Sequence, residues 1–598
     1  MRFTLQLSVL AGIFSMGILP SYATTPVSPD AETKLQEEDS GSFSVSQTAQ
    51  TSPLTQPENL QPNPNRDRFL QPQTPSLPTP KPTEIPVIPT PTPEPTTNTN
   101  TVPIQVKRIE VIDSTVLSAE QLQKITKPLE GRTVSFNELT SVVEAINKLY
   151  LEQGYTSSRA VLEPQTIADG IVKIRAVEGS IERIEVEGTR RLNSNYVRSR
   201  VKLGVGIPLN INTLEDQLRL LRTDPLFKTV EATLRSGSGE GQSILVVRVE
   251  EANPFQANLS VDNYSPPSIG SERLGINASY RNLTGNGDVL SGSYYRTTTG
   301  GADVFDFSYR VPLNAMNGTL ELRAAPSRNN VTQAPFKALD IRGESQLYEI
   351  SYRQPLIRNS REEFALSLGY AYQSGQTFTF AGPTPFSIGP DERGVSRTSV
   401  IKFGQDYVRR DAGGAWGLRS LFSFGTGTLD ATINPDPIPD GRFFSWLGQV
   451  QRVQTLNDNN LLILQADVQL TPNGLLPSQQ FVIGGGQSVR GYRQNVRAGD
   501  NGVRFSIENR ITLQRDETGN SVFQLAPFVD LGTVWNVSDN PNKLQKQTFL
   551  AGTGLGLIYS PIPKLSLRLD YGLPLVNLSD RGNNAQDSGF YFSANYQL

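Results

Sequence analysis

Leu462-Ile463-Leu464-Gln465-Ala466-Asp467-Val468-Gln469-Leu470 places Leu462, Leu464, Ala466, Val468 and Leu470 on one parity and Ile463, Gln465, Asp467 and Gln469 on the other. Further on, Val503, Phe505 and Ile507 alternate with Arg504, Ser506, Glu508 and Arg510. Both runs have period two, with one apolar and one largely polar face, which is the pattern of a strand. An apolar outside and a charged inside is what a strand shows when lipid covers one face and a wet lumen the other. Between the two runs lies Ile483-Gly484-Gly485-Gly486-Gln487-Ser488-Val489-Arg490-Gly491-Tyr492. A phosphate-cradling loop would need the lysine and the helix start that are missing here. The glycines alone fit a flexible surface turn equally well. The flanks make the segment a connection between two strands of a membrane barrel.

The same alternation fills the chain from Asn253 to Leu598. Phe255, Ala257, Leu259 and Val261 interleave with Gln256, Asn258, Ser260 and Asp262, and Leu565, Leu567, Leu569 and Tyr571 with Ser566, Arg568 and Asp570. A soluble β-sandwich can give such alternation, but so many two-faced strands behind an export signal fit a closed barrel better. Tyr309-Arg310-Val311-Pro312-Leu313, Tyr352-Arg353-Gln354-Pro355-Leu356 and Tyr571-Gly572-Leu573-Pro574-Leu575 repeat one small motif. Each reads as a strand end marked by Pro, with Tyr at the membrane interface. The run Phe590 to Leu598 keeps Phe590, Phe592, Ala594, Tyr596 and Leu598 on one face, as a barrel-closing strand would. At roughly 22 residues per strand with its loop, about sixteen antiparallel strands are expected.

Upstream the texture differs. Residues 1–23 read as an export signal: Arg2, an apolar run from Leu5 to Leu19, then Ser21-Tyr22-Ala23 for cleavage. Residues 24–102 read as a Pro-rich disordered linker, with 15 prolines between Pro53 and Pro103 and little to bury. Two modules follow, residues 103–179 and 180–252, ahead of the barrel at 253–598. Lys107-Arg108-Ile109-Glu110-Val111 returns as Glu182-Arg183-Ile184-Glu185-Val186. Each copy reads as β-α-α-β-β. In the first, Ser135 and Glu138 form a capping box before Leu139, Val142, Ile146 and Tyr150, and Gly154 ends the helix. In the second, Asn212 and Glu215 open the helix of Leu214, Leu218 and Leu221. Arg190, Arg191, Arg198 and Arg200 read as solvated. The chain has no Cys and no His, which removes disulfides, thiolate metal sites, His-based nucleophile systems and the commonest zinc ligand. No enzyme, metal or cofactor is expected. A net charge of −3 leaves no nucleic-acid footprint, and there is no nucleotide motif.

On these residues the chain resembles the TpsB-family transporters of two-partner secretion, also called haemolysin secretion/activation proteins, from about Ile104 to Leu598. Pro164, Gln165 and Gly170, with Glu178-Gly179 closing the module, are similar to the first POTRA module of that family. Val489-Arg490-Gly491-Tyr492 resembles the signature of its sixth external loop, which folds back into the barrel. Phe528, Asp530 and Gly532 match its F-x-D-x-G strand motif, whose Asp faces the loop Arg. Independently, Leu525, Pro527, Val529 and Leu531 share one face, so Phe528, Asp530 and Gly532 take the polar one. The family carries a plug helix before the first module, whereas this chain is Pro-rich there. The resemblance implies an outer-membrane barrel with both modules in the periplasm, exporting a large unfolded partner protein that the modules capture by strand addition. Outer-membrane lipid is the other partner, and no nucleotide or nucleic acid is. Two rival readings are an assembly insertase of the same superfamily and a passive porin.

Overall fold

The computed structural model describes residues 103–167 and 169–598; the export signal and the Pro-rich segment lie outside them. The first module has a three-stranded sheet in the order Arg108–Ile112, Ile171–Val177, Arg159–Val161, under helices Ala119–Thr126 and Phe136–Glu152. The longer helix is amphipathic and buries Leu139, Val142, Ile146 and Tyr150 against the sheet. Its capping box is Ser135 with Glu138; Ser118 and Gln121 form a second on the shorter helix. The module is more than β-α-α-β-β. Ile104–Val106 and Arg132–Val134 pair as a separate two-stranded sheet, because the chain turns out of the main sheet at Lys107.

The second module orders its sheet Ser180–Glu187, Gln242–Glu251, Phe227–Ser236, beneath helices Ser194–Lys202 and Ile211–Arg222. The cap of the latter is Asn210, which accepts from the Asn212 N–H, and not Asn212 itself. Asn210 also donates to Gln153 O and thereby ties the two modules together. Arg175 bridges Glu163 and Glu240 across the same joint.

Sixteen strands then close a barrel in which each pairs antiparallel with its neighbours in chain order. They are β1 (Phe255–Asp262), β2 (Arg273–Arg281), β3 (Val289–Thr297), β4 (Ala302–Pro312), β5 (Thr319–Asn330) and β6 (Arg342–Arg358). Next come β7 (Glu362–Thr379), β8 (Val395–Asp411), β9 (Gly414–Thr426), β10 (Phe444–Asn457) and β11 (Asn460–Leu470). Last are β12 (Asn501–Arg515), β13 (Ser521–Trp535), β14 (Phe549–Ile562), β15 (Leu565–Pro574) and β16 (Phe590–Gln597), which pairs with β1. The two-faced pattern has a direct cause. Leu259, Phe307, Leu322, Leu368, Ile401, Val503, Val529 and Leu569 all stand exposed on the outer wall. A band of apolar surface this wide is stable only where lipid covers it. β4 and β15 end at Pro312 and Pro574, but Pro355 lies inside β6, at a bulge that accommodates its missing N–H.

Module 2 is docked on the barrel; the solvated reading fails for Arg200, whereas Arg190, Arg191 and Arg198 are exposed. Arg200 is 8% exposed, lies 3.4 Å over the Tyr196 ring and donates to Asn317 Oδ1 in the β4–β5 turn. Arg191 donates to Asn282 O in the β2–β3 turn and lies over Tyr280. Ser360 in the β6–β7 turn donates to Asp216. Arg191, Arg200 and Asp216 thus place module 2 on three alternate turns of the barrel. Arg198 projects from exposed surface onto its own sheet, donating to Ile184 O, and Arg190 is likewise exposed.

Glu251, at the last strand residue before the barrel, accepts the N–H groups of Arg190, Arg191 and Leu192. Burial pushes its pKa up, but these donors and the Arg191 charge outweigh burial and hold it below the usual carboxylate range. A depressed folded pKa gives stability that is full above the unfolded value and lost as pH falls through the folded one. Glu251→Gln is expected to loosen this joint at neutral pH and to remove its acid sensitivity. Limited proteolysis around Asn253 reads both, and equal cleavage of wild type and variant at neutral pH would count against it.

Candidate functional site

The β11–β12 connection, residues 471–500, folds back into the lumen. It carries a small hairpin, Phe481–Ile483 with Arg497–Gly499, whose Phe481 and Ile483 pack with Val489, Tyr492, Val534 and Leu550. Gly484 and Gly485, at φ +106° and +100°, make the turn away from the hairpin, and Gly491, at φ +103°, makes the one after Arg490. Those values are costly for any residue with a Cβ.

At the tip, Arg490 meets Asp530 through two parallel bonds, Nε to Oδ2 at 2.7 Å and Nη2 to Oδ1 at 2.9 Å. The Arg490 backbone N–H also donates to Asp530 Oδ2, at 3.1 Å. The third guanidinium nitrogen reaches Glu508 at 2.7 Å and Asp570 at 3.5 Å. The guanidinium stands 3.4 Å over the Phe528 ring, so Phe528 and Asp530 of the strand motif both hold it. Gly532 leaves the space that Val489 fills. Arg568 bonds both Glu508 and Asp570, and Arg510 bonds Glu508. Three arginines and three carboxylates thus form one balanced cluster, in which Arg490, Glu508, Asp530 and Asp570 are buried. Gly491 donates its N–H to Tyr591 Oη, and that hydroxyl donates to Tyr492 O. Tyr492 donates in turn to Ala551 O and Val576 O.

Two further arginines of the loop tie it to the last external connection. Arg493 forms a bidentate pair with Asp587, and Arg497 one with Asp580, both on the β15–β16 connection. Sequence reasoning named Arg490 and Asp530 but missed Glu508, Asp570, Arg568, Tyr591, Asp580 and Asp587. Parity signalled Glu508 and Asp570, which face the lumen; nothing local marks the aspartates of the last loop.

Residues 241–559 match the family model of the haemolysin secretion/activation protein ShlB/FhaC/HecB, and residues 104–179 match the ShlB-type POTRA domain. The chain belongs to the ShlB/FhaC/HecB family. It is similar to the outer membrane transporter CdiB of Dickeya dadantii, at 22% identity over 72% of this chain and 76% of that one. It is also similar to the heme/hemopexin transporter protein HuxB of Haemophilus influenzae, at 22% over 80% and 85%. Among solved structures, CdiB from Escherichia coli superposes with a TM-score of 0.66, at 22% identity over 85% of this chain and 93% of that one. BamA from Haemophilus ducreyi lacking POTRA domains 1–3 superposes at 0.51, with 18% identity over 83% and 100%. Membership makes this an outer-membrane barrel of the two-partner secretion transporters, with its POTRA modules on the periplasmic side. The β1 end that follows the modules is then the inner one, and the loop of Arg490 enters from outside.

The POTRA motif residues are far from the loop and serve the module. Gln165 bonds both backbone groups of Lys173, standing in for strand residues beyond Arg159–Val161. Glu178 accepts from the Thr115 N–H and hydroxyl and from the Tyr150 hydroxyl. A Cβ on Gly179 would lie 2.7 Å from Ser157 O, and its carbonyl accepts from the Leu209 N–H of the second module. Gly170, at φ +74°, makes the turn into Ile171–Val177, and Pro164 is exposed.

Proposed function

We propose that this transporter secretes a large, unfolded exoprotein that its POTRA modules capture by strand addition, with no catalytic step. The observation that carries the reading is a sheet edge on a module fixed to the barrel's inner turns. Capture by strand addition needs a row of unoccupied backbone groups. In the first module, Glu130 takes the Ile109 N–H on one edge and Asn147 takes the Ala160 N–H on the other. In the second, Arg198 takes Ile184 O on one edge. The other edge, Phe227–Ser236, is ten residues long; its Phe227 N–H donates to Asp224 O and its Val230 O accepts from Arg222. Because that carbonyl points away from the sheet, so do the backbone groups of Ala232 and Leu234, two and four residues on. The sequence motif had singled out the first module for capture; edge length favours the second.

Ala232→Pro removes one outward N–H and leaves the inward ladder intact. It is expected to weaken capture of the partner's unfolded N-terminal region by the full-length transporter at least about tenfold, whereas Arg235→Glu changes it little. Binding unchanged in Ala232→Pro would overturn capture at this edge. Export without any partner binding would overturn the reading itself.

A further inference from the structure

Cross-strand ion pairs line the lumen from β4 to β9. Asp306 on β4 holds Arg323 on β5 through two bonds, the shorter 2.7 Å, and Arg310 on β4 holds Glu321 on β5 at 2.9 Å. Glu349 on β6 meets Lys402 on β8 at 2.9 Å. Arg353 on β6 bonds Glu363 on β7 at 2.7 Å and lies 3.7 Å from Asp406 on β8. Asp406 also takes Arg419 on β9, at 3.0 Å. The register places these side chains on the luminal parity, and they remain partly exposed there.

Their position in the ring matters as much as their pairing. The loop tip is held by Glu508 on β12, Asp530 on β13, Gly552 on β14, Asp570 on β15 and Tyr591 on β16. In a sixteen-strand ring each strand faces the one eight places on, so the loop's five strands face β4 to β8. Module 2 docks on the turns β2–β3, β4–β5 and β6–β7, beneath that same side. Module 2, the ion-pair wall and the free side of the loop therefore share one side of the barrel.

We infer that the exported polypeptide passes along this wall, and that the wall accepts segments of either charge because each of its carboxylates is already matched by a neighbouring base. This rests on the export reading above. A ring of one sign would select ions and hold oppositely charged segments; a wall of short dipoles does neither at a distance beyond a few ångströms.

The test uses the full-length transporter and two readouts. In planar bilayers under a KCl gradient, the wild type is expected to give a reversal potential near zero. The double variant Asp306→Asn, Glu321→Gln leaves Arg310 and Arg323 without those carboxylates and is expected to shift toward chloride selectivity. Glu349→Gln, which frees Lys402, is the second variant and should shift the same way. In cells, partners carrying an acidic or a basic run inserted in the secreted region should leave the wild type equally. In the double variant, export of the acidic-run partner should fall about tenfold while the unmodified partner still leaves. Strong selectivity of the wild type, or no shift in either variant, would overturn the inference. The passenger readout serves even where the channel carries no resting current, and failure of the wild type to export any partner would instead strike the export reading.

Discussion

Arg490→Ala is expected to give a barrel that assembles in the outer membrane, shows normal heat-modifiability, and secretes its partner at background level. The expectation comes from the site's architecture. A glycine-rich loop that enters the lumen loses much conformational freedom, and something specific must hold its tip. Arg490 does so with the two parallel bonds to Asp530, a third arm to Glu508, and its face on Phe528. Asp530 is fully buried and Arg490 nearly so. Removing the arginine leaves Asp530 with the Ser506 hydroxyl as a side-chain donor, and stranding a buried charge costs roughly 3–5 kcal/mol. That penalty falls on the seated loop and not on the strand ladder, so the barrel survives. Arg490→Lys keeps a charge but loses the fork and the stacking, and is expected to secrete weakly. Normal secretion by Arg490→Ala, measured as partner in the medium per assembled barrel, would end the account.

The surrounding charges decide a related experiment. An isolated pair would be restored by exchange, Arg490→Asp with Asp530→Arg, and the sequence supports no more than such a pair. In the structure the exchanged aspartate would face Glu508 and Asp570, and the exchanged arginine would stand where Ser506 and the Arg490 N–H now donate. The exchange is therefore expected not to rescue.

What the sequence makes legible follows from range. Parity is local, so the luminal face of β11, β12 and β13 is readable from Asp467, Arg504 and Asp530, and a wall of sixteen such strands follows from repetition. Helix caps are nearly local, and Ser135 with Glu138 is readable; Asn210 is not, because Asn212 two residues on offers the same chemistry. Arg191 and Arg200 look solvated because their partners, Asn282, Tyr280 and Asn317, are about a hundred residues away. The same holds at the loop: Asp580 and Asp587 meet Arg497 and Arg493 only because β16 returns to β1 and brings the last connection over the lumen. Charge networks across a closed barrel are set by ring position, which no window of sequence contains.

Gly552→Val is expected to abolish secretion as fully as Arg490→Ala while leaving every charge of the cluster in place. The floor beneath the loop tip is glycine. A Cβ on Gly552 would lie 1.9 Å from Arg490 O, and one on Gly572 would lie 2.6 Å from the Gly491 N. Neither distance is one a Cβ tolerates, and the atom met is backbone, which cannot rotate away. Because side chains on β14 and β15 alternate between lumen and lipid, the intruding methyl groups must enter the loop's seat. The loop then has to rise, and a rise of an ångström or more breaks the paired geometry at Asp530, whose bonds weaken steeply with distance and angle. Strand pairing in β14 is untouched, and valine suits a strand, so assembly is expected to proceed. Gly375→Ala on β7 is the matched control. It is a luminal glycine whose Cβ would meet nothing closer than 3.7 Å, and it should secrete normally. If Gly552→Val secretes like the wild type, the tip does not need this seat, and position cannot be what the arginine cluster supplies.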